Sequence, residues 1–269
     1  MASFRRRSVL MLVLLAAATA KDARGQGTQV PLPNARPVPR MQVIPLPDAQ
    51  ASIRCDGEEL TRDHFGPTLR RPFLYPVAGP SGRSLTRMGH PHDPESHSHH
   101  NSVWAAHESV NGESFWSDRG SGRVVHRRIV RYDDRDDEAS IVSMNAWVGK
   151  GDATVMNERR GIVIRPLADR EWLMILELQF EATKQPVTLG KTPFGMVGVR
   201  MAKTIGVNDG GGLIRNSEGN KDEQGPGGVF QKRARWVDYS GPITRDAAEG
   251  ITLLDHPSNP DHPAHFHVR

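Results

Sequence analysis

The stretch EWLMILELQFEAT, Glu171 to Thr183, alternates with period two. Met174, Leu176, Leu178 and Phe180 fall on one face of an extended chain, with Leu173, Ile175, Glu177 and Gln179 on the other. Side chains of a strand point alternately to opposite faces, so this spacing predicts a strand. The pattern recurs on both sides. Thr154 to Leu167 reads as a strand ending at Pro166, and Val124 to Tyr132 and Ala139 to Val148 read as a hairpin. The acidic run Asp133 to Glu138 is its solvated tip, with a cation site as the sharper reading. In the second arm, Val142, Met144, Ala146 and Val148 are expected to face the core.

Further strands are expected at Phe194–Lys203, Gly227–Tyr239, Gly250–Leu254 and His265–Arg269. Gly195 and Gly198 within the first of these signal bends or close backbone approach. Asn101 to His107 reads as a strand anchoring the loop before it. About ten strands with dense Gly and Pro punctuation, and few runs long and apolar enough for a buried helix, predict an all-β fold: one large antiparallel β-sandwich.

The N-terminal end reads differently. Arg5-Arg6-Arg7, the apolar run Val9–Ala18 and Ala18-Thr19-Ala20 form an export signal over residues 1–20, too short to span a bilayer comfortably. Residues 21–50, with Pro31, Pro33, Pro37, Pro39, Pro45 and Pro47, read as a Pro-rich linker, extended up to about Val43. Residues 51–269 are then one sandwich domain, and the expected location is periplasmic or secreted. The leader carries three of the four net positive charges. The remaining body is nearly neutral and shows no basic stripe, which argues against nucleic acid as a partner and, once the leader is cleaved, against a membrane. The single cysteine, Cys55, allows neither an internal disulfide nor a zinc–thiolate site.

Chemistry concentrates where histidine does. The segment His90-Pro91-His92-Asp93-Pro94-Glu95-Ser96-His97-Ser98-His99-His100 holds five of the twelve histidines. Two uses fit. Imidazoles two apart on an extended chain point the same way, so His97, His99 and His100, or His90 and His92, could ligate a divalent metal. A ring with pKa near 6.5 can instead move protons at ambient pH. A second group, His265, His267 and Arg269, shares one face of the last predicted strand. Both groups lining one cleft is the sharper reading; a solvent-facing edge strand is the other. Glu177 and Glu218 are the candidate bases, with Glu158 also considered. Arg200 sits inside an apolar run, paired with a carboxylate or aimed at a ligand. Trp104, Trp116, Trp236 and Tyr239 are either sugar-stacking platforms or core. No phosphate-cradling Gly loop, serine elbow or CxxC pair is present.

Several longer strings carry a resemblance: Arg71 to Pro76, Thr86 to Asp93, His97 to Trp104, Asn111-Gly112 with Phe115-Trp116, Asn216 to Gly219, Trp236 to Gly241 and His256 to Arg269. They resemble a bacterial family of exported proteins labelled "methane oxygenase PmoA-like", common in sugar-degrading bacteria, over nearly everything from about residue 65. The resemblance implies a sandwich similar to the galactose-mutarotase supersandwich, binding a carbohydrate or other small molecule over one sheet. It further implies that relatives continue past the final His-Val-Arg by a strand or two. On it, Arg87, Trp104, His107, Asn111, Arg200, Asn216, Trp236 and Arg269 are candidate substrate contacts. His90, His92, His97, His99, His100, His265, His267, Glu177 and Glu218 are candidate acid–base groups. The expectation leans to an enzyme. A non-catalytic glycan-binding module and a His-ligated, metal-dependent oxidative protein are the alternatives.

Overall fold

A computed structural model describes residues 36–90, 92 and 97–269. The expected leader, residues 21–35 of the Pro-rich stretch, and Pro91 and Asp93 to Ser96 of the histidine segment lie outside the described residues. The chain runs through β1 (Met41–Leu46), β2 (Gln50–Cys55), β3 (Glu58–His64), β4 (Phe73–Val77) and β5 (Val103–Ala105). Four long strands follow: β6 (Arg123–Asp134), β7 (Ala139–Val148), β8 (Thr154–Pro166) and β9 (Trp172–Ala182). The rest is β10 (Val197–Val199), β11 (Leu213–Asn216), β12 (Lys232–Arg233), β13 (Trp236–Pro242), β14 (Ala248–Leu254) and β15 (His265–Phe266).

These strands form an all-β, antiparallel sandwich. One sheet has the order β1-β2-β3-β4-β5-β10 and the other β6-β7-β8-β9. Met41, Val43, Ala51, Ile53, Leu74, Val77 and Val103 of the first sheet pack on Ala139, Ile141, Ile162 and Ile164 of the second. Trp172, Met174 and Leu176 of β9 join them, as the alternation at Glu171–Thr183 predicts. In β7 the inner face is the odd one. Ala139 and Ile141 enter the main core and Trp147 an adjoining cluster with Phe115, Val124 and Met156. Val142, Ala146 and Val148, expected to face the core, lie on the opposite face and are buried as well. With both faces covered, alternation loses its power to say which one points inward.

The first sheet begins inside the stretch expected to be linker. Met41 is fully buried and Val43 nearly so. Pro45 is tolerated because β1 is an edge strand and needs no N–H on its outer side. The acidic hairpin tip covers that edge. The Met41 amide donates to the Arg135 carbonyl (2.9 Å) and the Val43 amide to Asp134 Oδ1 (2.8 Å). The tip carboxylates therefore cap backbone donors, which also blunts the edge against intermolecular pairing.

The C-terminal third departs most from expectation. The run Gly227–Tyr239 divides into β12 and β13, Phe194–Lys203 keeps only β10, and His265–Arg269 keeps only β15. Two small sheets, β11-β13-β14 and β12-β15, enclose a second core of Leu85, Ile205, Ile214, Val229, Val237 and Phe266.

Candidate functional site

The histidine segment joins β4 to β5, and short-range pairing closes it at its base. The Gly89 amide donates to the His100 carbonyl (2.7 Å), and Met88 bridges Asn101. On the other flank the Arg87 amide donates to the Arg200 carbonyl (3.0 Å), and the Arg200 amide to the Ser102 carbonyl (2.7 Å). Leu74 and Val103 pair across β4 and β5 and face the sandwich core. Their neighbours Phe73 and Trp104 therefore face the outer side, as does Gly198, which pairs with Trp104. The site stands on this outer face of the six-stranded sheet.

Here the imidazoles meet. Ring centroids of His90 and His97 lie 4.9 Å apart, His97 and His100 4.8 Å, His99 and His100 4.5 Å, and His90 and His92 6.0 Å. His100 stacks on Trp104 at 5.9 Å, and Trp104 touches Trp116 at 5.1 Å. The wall continues from Trp116 to Phe194 (5.4 Å, nearly parallel), from Phe194 to His267 (5.2 Å), and from His267 to Phe230 (5.0 Å). Arg269 lies over Phe230. One aromatic series thus links the 90–100 segment to His267, more than 160 residues away. His265 does not join it; it is exposed, with Nδ1 against the Gln231 carbonyl (3.0 Å).

Two residues hold the wall up: Arg71, which sequence reasoning did not single out, and Gly198, which it marked for a bend or close approach. Arg71 is buried, and its guanidinium donates to Asn101 Oδ1 (2.8 Å), Asp118 Oδ1 (2.9 Å) and the Trp116 carbonyl (2.7 Å). It ties the base of the histidine loop to the Trp116 turn. Only its place in the string Arg71 to Pro76 hinted at this. Gly198 lets the β10 backbone lie against Trp104; a Cβ there would come within 2.5 Å of the indole. The close approach expected of this glycine is met by the ring itself.

Burial sets the electrostatics. It lowers the pKa of His90, His99 and His267, and Arg200 and Arg87 push His90 down further. His100 is lowered to about 2, by burial first and the Arg200 charge second. These four rings are neutral at ambient pH, so each offers one N–H donor and one acceptor. Burial and the Arg200 charge also lower Arg87 to about 10. The Arg87 guanidinium donates to the Met201 and Gly89 carbonyls. Among the described residues three buried nitrogens around His100 lack a hydrogen-bond partner: His100 Nδ1, Trp104 Nε1 and Arg200 Nε. An unsatisfied buried polar atom costs roughly 1–3 kcal/mol, so their gathering in one place is a feature of binding sites.

The metal expectation does not fit this geometry. His97, His99 and His100 are neighbours, but among the described residues no three His, Cys, Asp or Glu side chains are placed to hold a metal ion.

The other candidates scatter. Glu177 is exposed on β9, across from Gly161, and hydrogen-bonds no histidine. Glu218 accepts from the Ser217 hydroxyl within an exposed turn. Asn216 organises that turn, its Oδ1 accepting from the amides of Glu218 and Asn220. Asn111 likewise pairs with Thr188, and His107 is buried, its Nδ1 accepting from the Ser109 amide. Trp236 is half-buried on β13, and the Tyr239 hydroxyl accepts from the Val207 amide. Trp104 and Trp116 are buried, so they pack as walls and offer no open stacking platform. Glu158 is fully buried between Asn145, Trp147 and Arg160, an interior ion pair and not a base facing solvent. His92, exposed, reaches Asp209 (3.1 Å), on the rim of a groove of about 410 Å³ lined by Lys203, Thr204, Pro242 and Arg245.

Comparison with curated proteins and with solved structures returned no match. A family model described as a family of unknown function, DUF6807, matches residues 50–269. That span takes in every described strand but β1, and the whole histidine–aromatic wall, so the chain belongs to the DUF6807 family.

Proposed function

We propose that this protein is an exported, carbohydrate-active enzyme that moves protons on a sugar held over the outer face of the six-stranded sheet. The reading rests on one observation: His90, His97, His99 and His100 form a single group of touching rings that an aromatic series extends to His267. The resemblance to exported PmoA-like proteins, and through them to mutarotase-like sandwiches, supplies the substrate class and the periplasmic or secreted location. Fold analogy alone would not.

The acid–base work falls to imidazole. Glu177 and Glu218 touch none of the rings, whereas His90 and His99 are held neutral by burial and can accept a proton at ambient pH. In an anomeric exchange, one neutral ring takes the proton of the anomeric hydroxyl and, as the carbonyl forms and the ring carbon–oxygen bond opens, delivers that proton to the ring oxygen, to which a neighbouring ring's N–H is hydrogen-bonded. Closure from the other face runs the same proton transfer in reverse. His100, pushed far below the ordinary imidazole range, stays neutral throughout and serves as a fixed hydrogen-bonding group.

Polarimetry and proton NMR on freshly dissolved sugars, with the full chain present, test the proposal. Catalysed anomeric exchange or cleavage of at least one sugar is expected, with His99→Gln slowing it by roughly 100-fold or more. A broad panel showing neither binding nor turnover overturns it. Saturable sugar binding without turnover would identify a glycan-binding module. One tightly held metal per chain with oxidative activity would identify the metal-dependent alternative.

A further inference from the structure

Deepening the carbohydrate reading, we infer that the sugar this site takes is acidic, its carboxylate received by Arg200 beside His100 and Trp104. Arg200 leaves β10 on the same outer face as Trp104, because Gly198 pairs with Trp104 and two residues on a strand share a side. Its Nε is buried and has no acceptor, and no described carboxylate forms an ion pair with its guanidinium. The Nε–H of an arginine and the Nε1–H of a tryptophan can only donate. Trp104 Nε1 and Arg200 Nε are therefore two obligate donors on one face without acceptors, with His100 Nδ1 as a third unpartnered nitrogen.

The surroundings favour negative charge. Arg87 lies alongside, its backbone amide bonded to the Arg200 carbonyl, and its own side chain donates only to neutral backbone carbonyls. Two guanidinium charges thus stand together beside neutral imidazoles; the Asp209 carboxylate acts on both from a distance while its own contact is with His92 (3.1 Å), and no described carboxylate is in ion-pair contact with either. One carboxylate for two guanidinium groups leaves half-buried positive charge in excess, and a ligand carboxylate meets both needs: it neutralises that charge and accepts from N–H groups that lack acceptors. The planar fork of a guanidinium matches a carboxylate in two-point contact, which no neutral hydroxyl reproduces. Asp93 and Glu95 of the same loop lie outside the described residues.

Isothermal titration of the full chain with glucuronate and galacturonate, set against glucose and galactose, tests this. The acids are expected to bind about 10- to 100-fold more tightly than the neutral parents, as charge-assisted contacts imply. Arg200→Gln should abolish that preference, bringing uronate affinity down to that of the neutral parents. Arg87→Gln should lessen it, and Arg200→Lys, which keeps the charge without the fork, should retain part of it; circular dichroism monitors the folding of each variant. Equal affinity for acid and neutral sugars overturns the inference and leaves the carbohydrate reading standing. Tight binding of sulfate or phosphate with no sugar bound overturns both the acidic-sugar inference and the carbohydrate reading. Uronate binding confined to an Asp93→Asn/Glu95→Gln variant would mean that the loop's own carboxylates hold the place, again overturning it.

Discussion

Arg71 and Gly198 are the residues on which the wall's geometry depends. The guanidinium of Arg71 is buried and meets one carboxylate, one amide oxygen and two backbone carbonyls, of Phe115 and Trp116. Arg71→Met is expected to destabilise the fold by about 3–5 kcal/mol in urea melts, since removing one partner of a buried pair strands the others. Arg71→Lys should recover less than half, because a point charge cannot fill a fork. Gly198→Ala is expected to cost about 1–3 kcal/mol and to shift tryptophan emission, since the new methyl must displace the Trp104 ring. An unchanged melt and spectrum would show that the β10 backbone can retreat. Neither residue carries a signal in composition or charge. Arg71 looks like any arginine before a proline, and the purpose of Gly198 exists only once Trp104 lies across it.

The edge strand and the histidine loop show what pairing adds to pattern. β1 sits in a proline-rich stretch, yet Met41 and Val43 enter the main core and the hairpin tip of β6 and β7 caps its amides. Met41→Ala should therefore cost about 2–5 kcal/mol in the same urea melts, the range for a large buried side chain cut to a methyl. A loss below about 0.5 kcal/mol would make β1 an accessory and not part of the core. The long strands β6 to β9 were legible because each runs ten residues or more between clear breaks. β10, β12 and β15 were overread because a strand of two or three residues is set by its partner and not by its own period. The histidine loop was legible from density alone. The ring contacts with Trp104, Trp116 and Phe194 were not, since these come from three separate segments.

Across the molecule, the balance of buried ionisable groups predicts acid sensitivity. His64, His90, His99, His100, His107, His126 and His267 all have pKa values lowered in the fold, with burial the largest cause. Each binds fewer protons folded than unfolded, so its contribution is complete above the unfolded value near 6.5 and is lost as pH falls below it. Asp63 works the other way. Fully buried beside Arg160 and Glu158, with Oδ1 unpartnered, it is raised to about 6 by burial, so it costs stability as pH rises from about 4 to 6. Seven groups outweigh one, and the unfolding midpoint should drop between pH 7 and 5, less steeply in His100→Gln. Asp63→Asn should stabilise the protein at pH 7.5 by on the order of 1–3 kcal/mol and have no effect near pH 4. A flat pH profile of thermal unfolding would contradict the histidine assignment, and a destabilised Asp63→Asn at pH 7.5 would contradict that for Asp63.

The sequence by itself determined the all-β class, the long central strands and the segment where histidines gather, because period and local density survive without tertiary contacts. Only the tertiary structure decided which face of β7 points inward, that β1 belongs to the sheet, and that His267 joins the wall while Glu177 and Glu218 do not. Those outcomes depend on which distant surfaces meet, and a side chain's partners across more than a hundred residues leave no local periodicity to read.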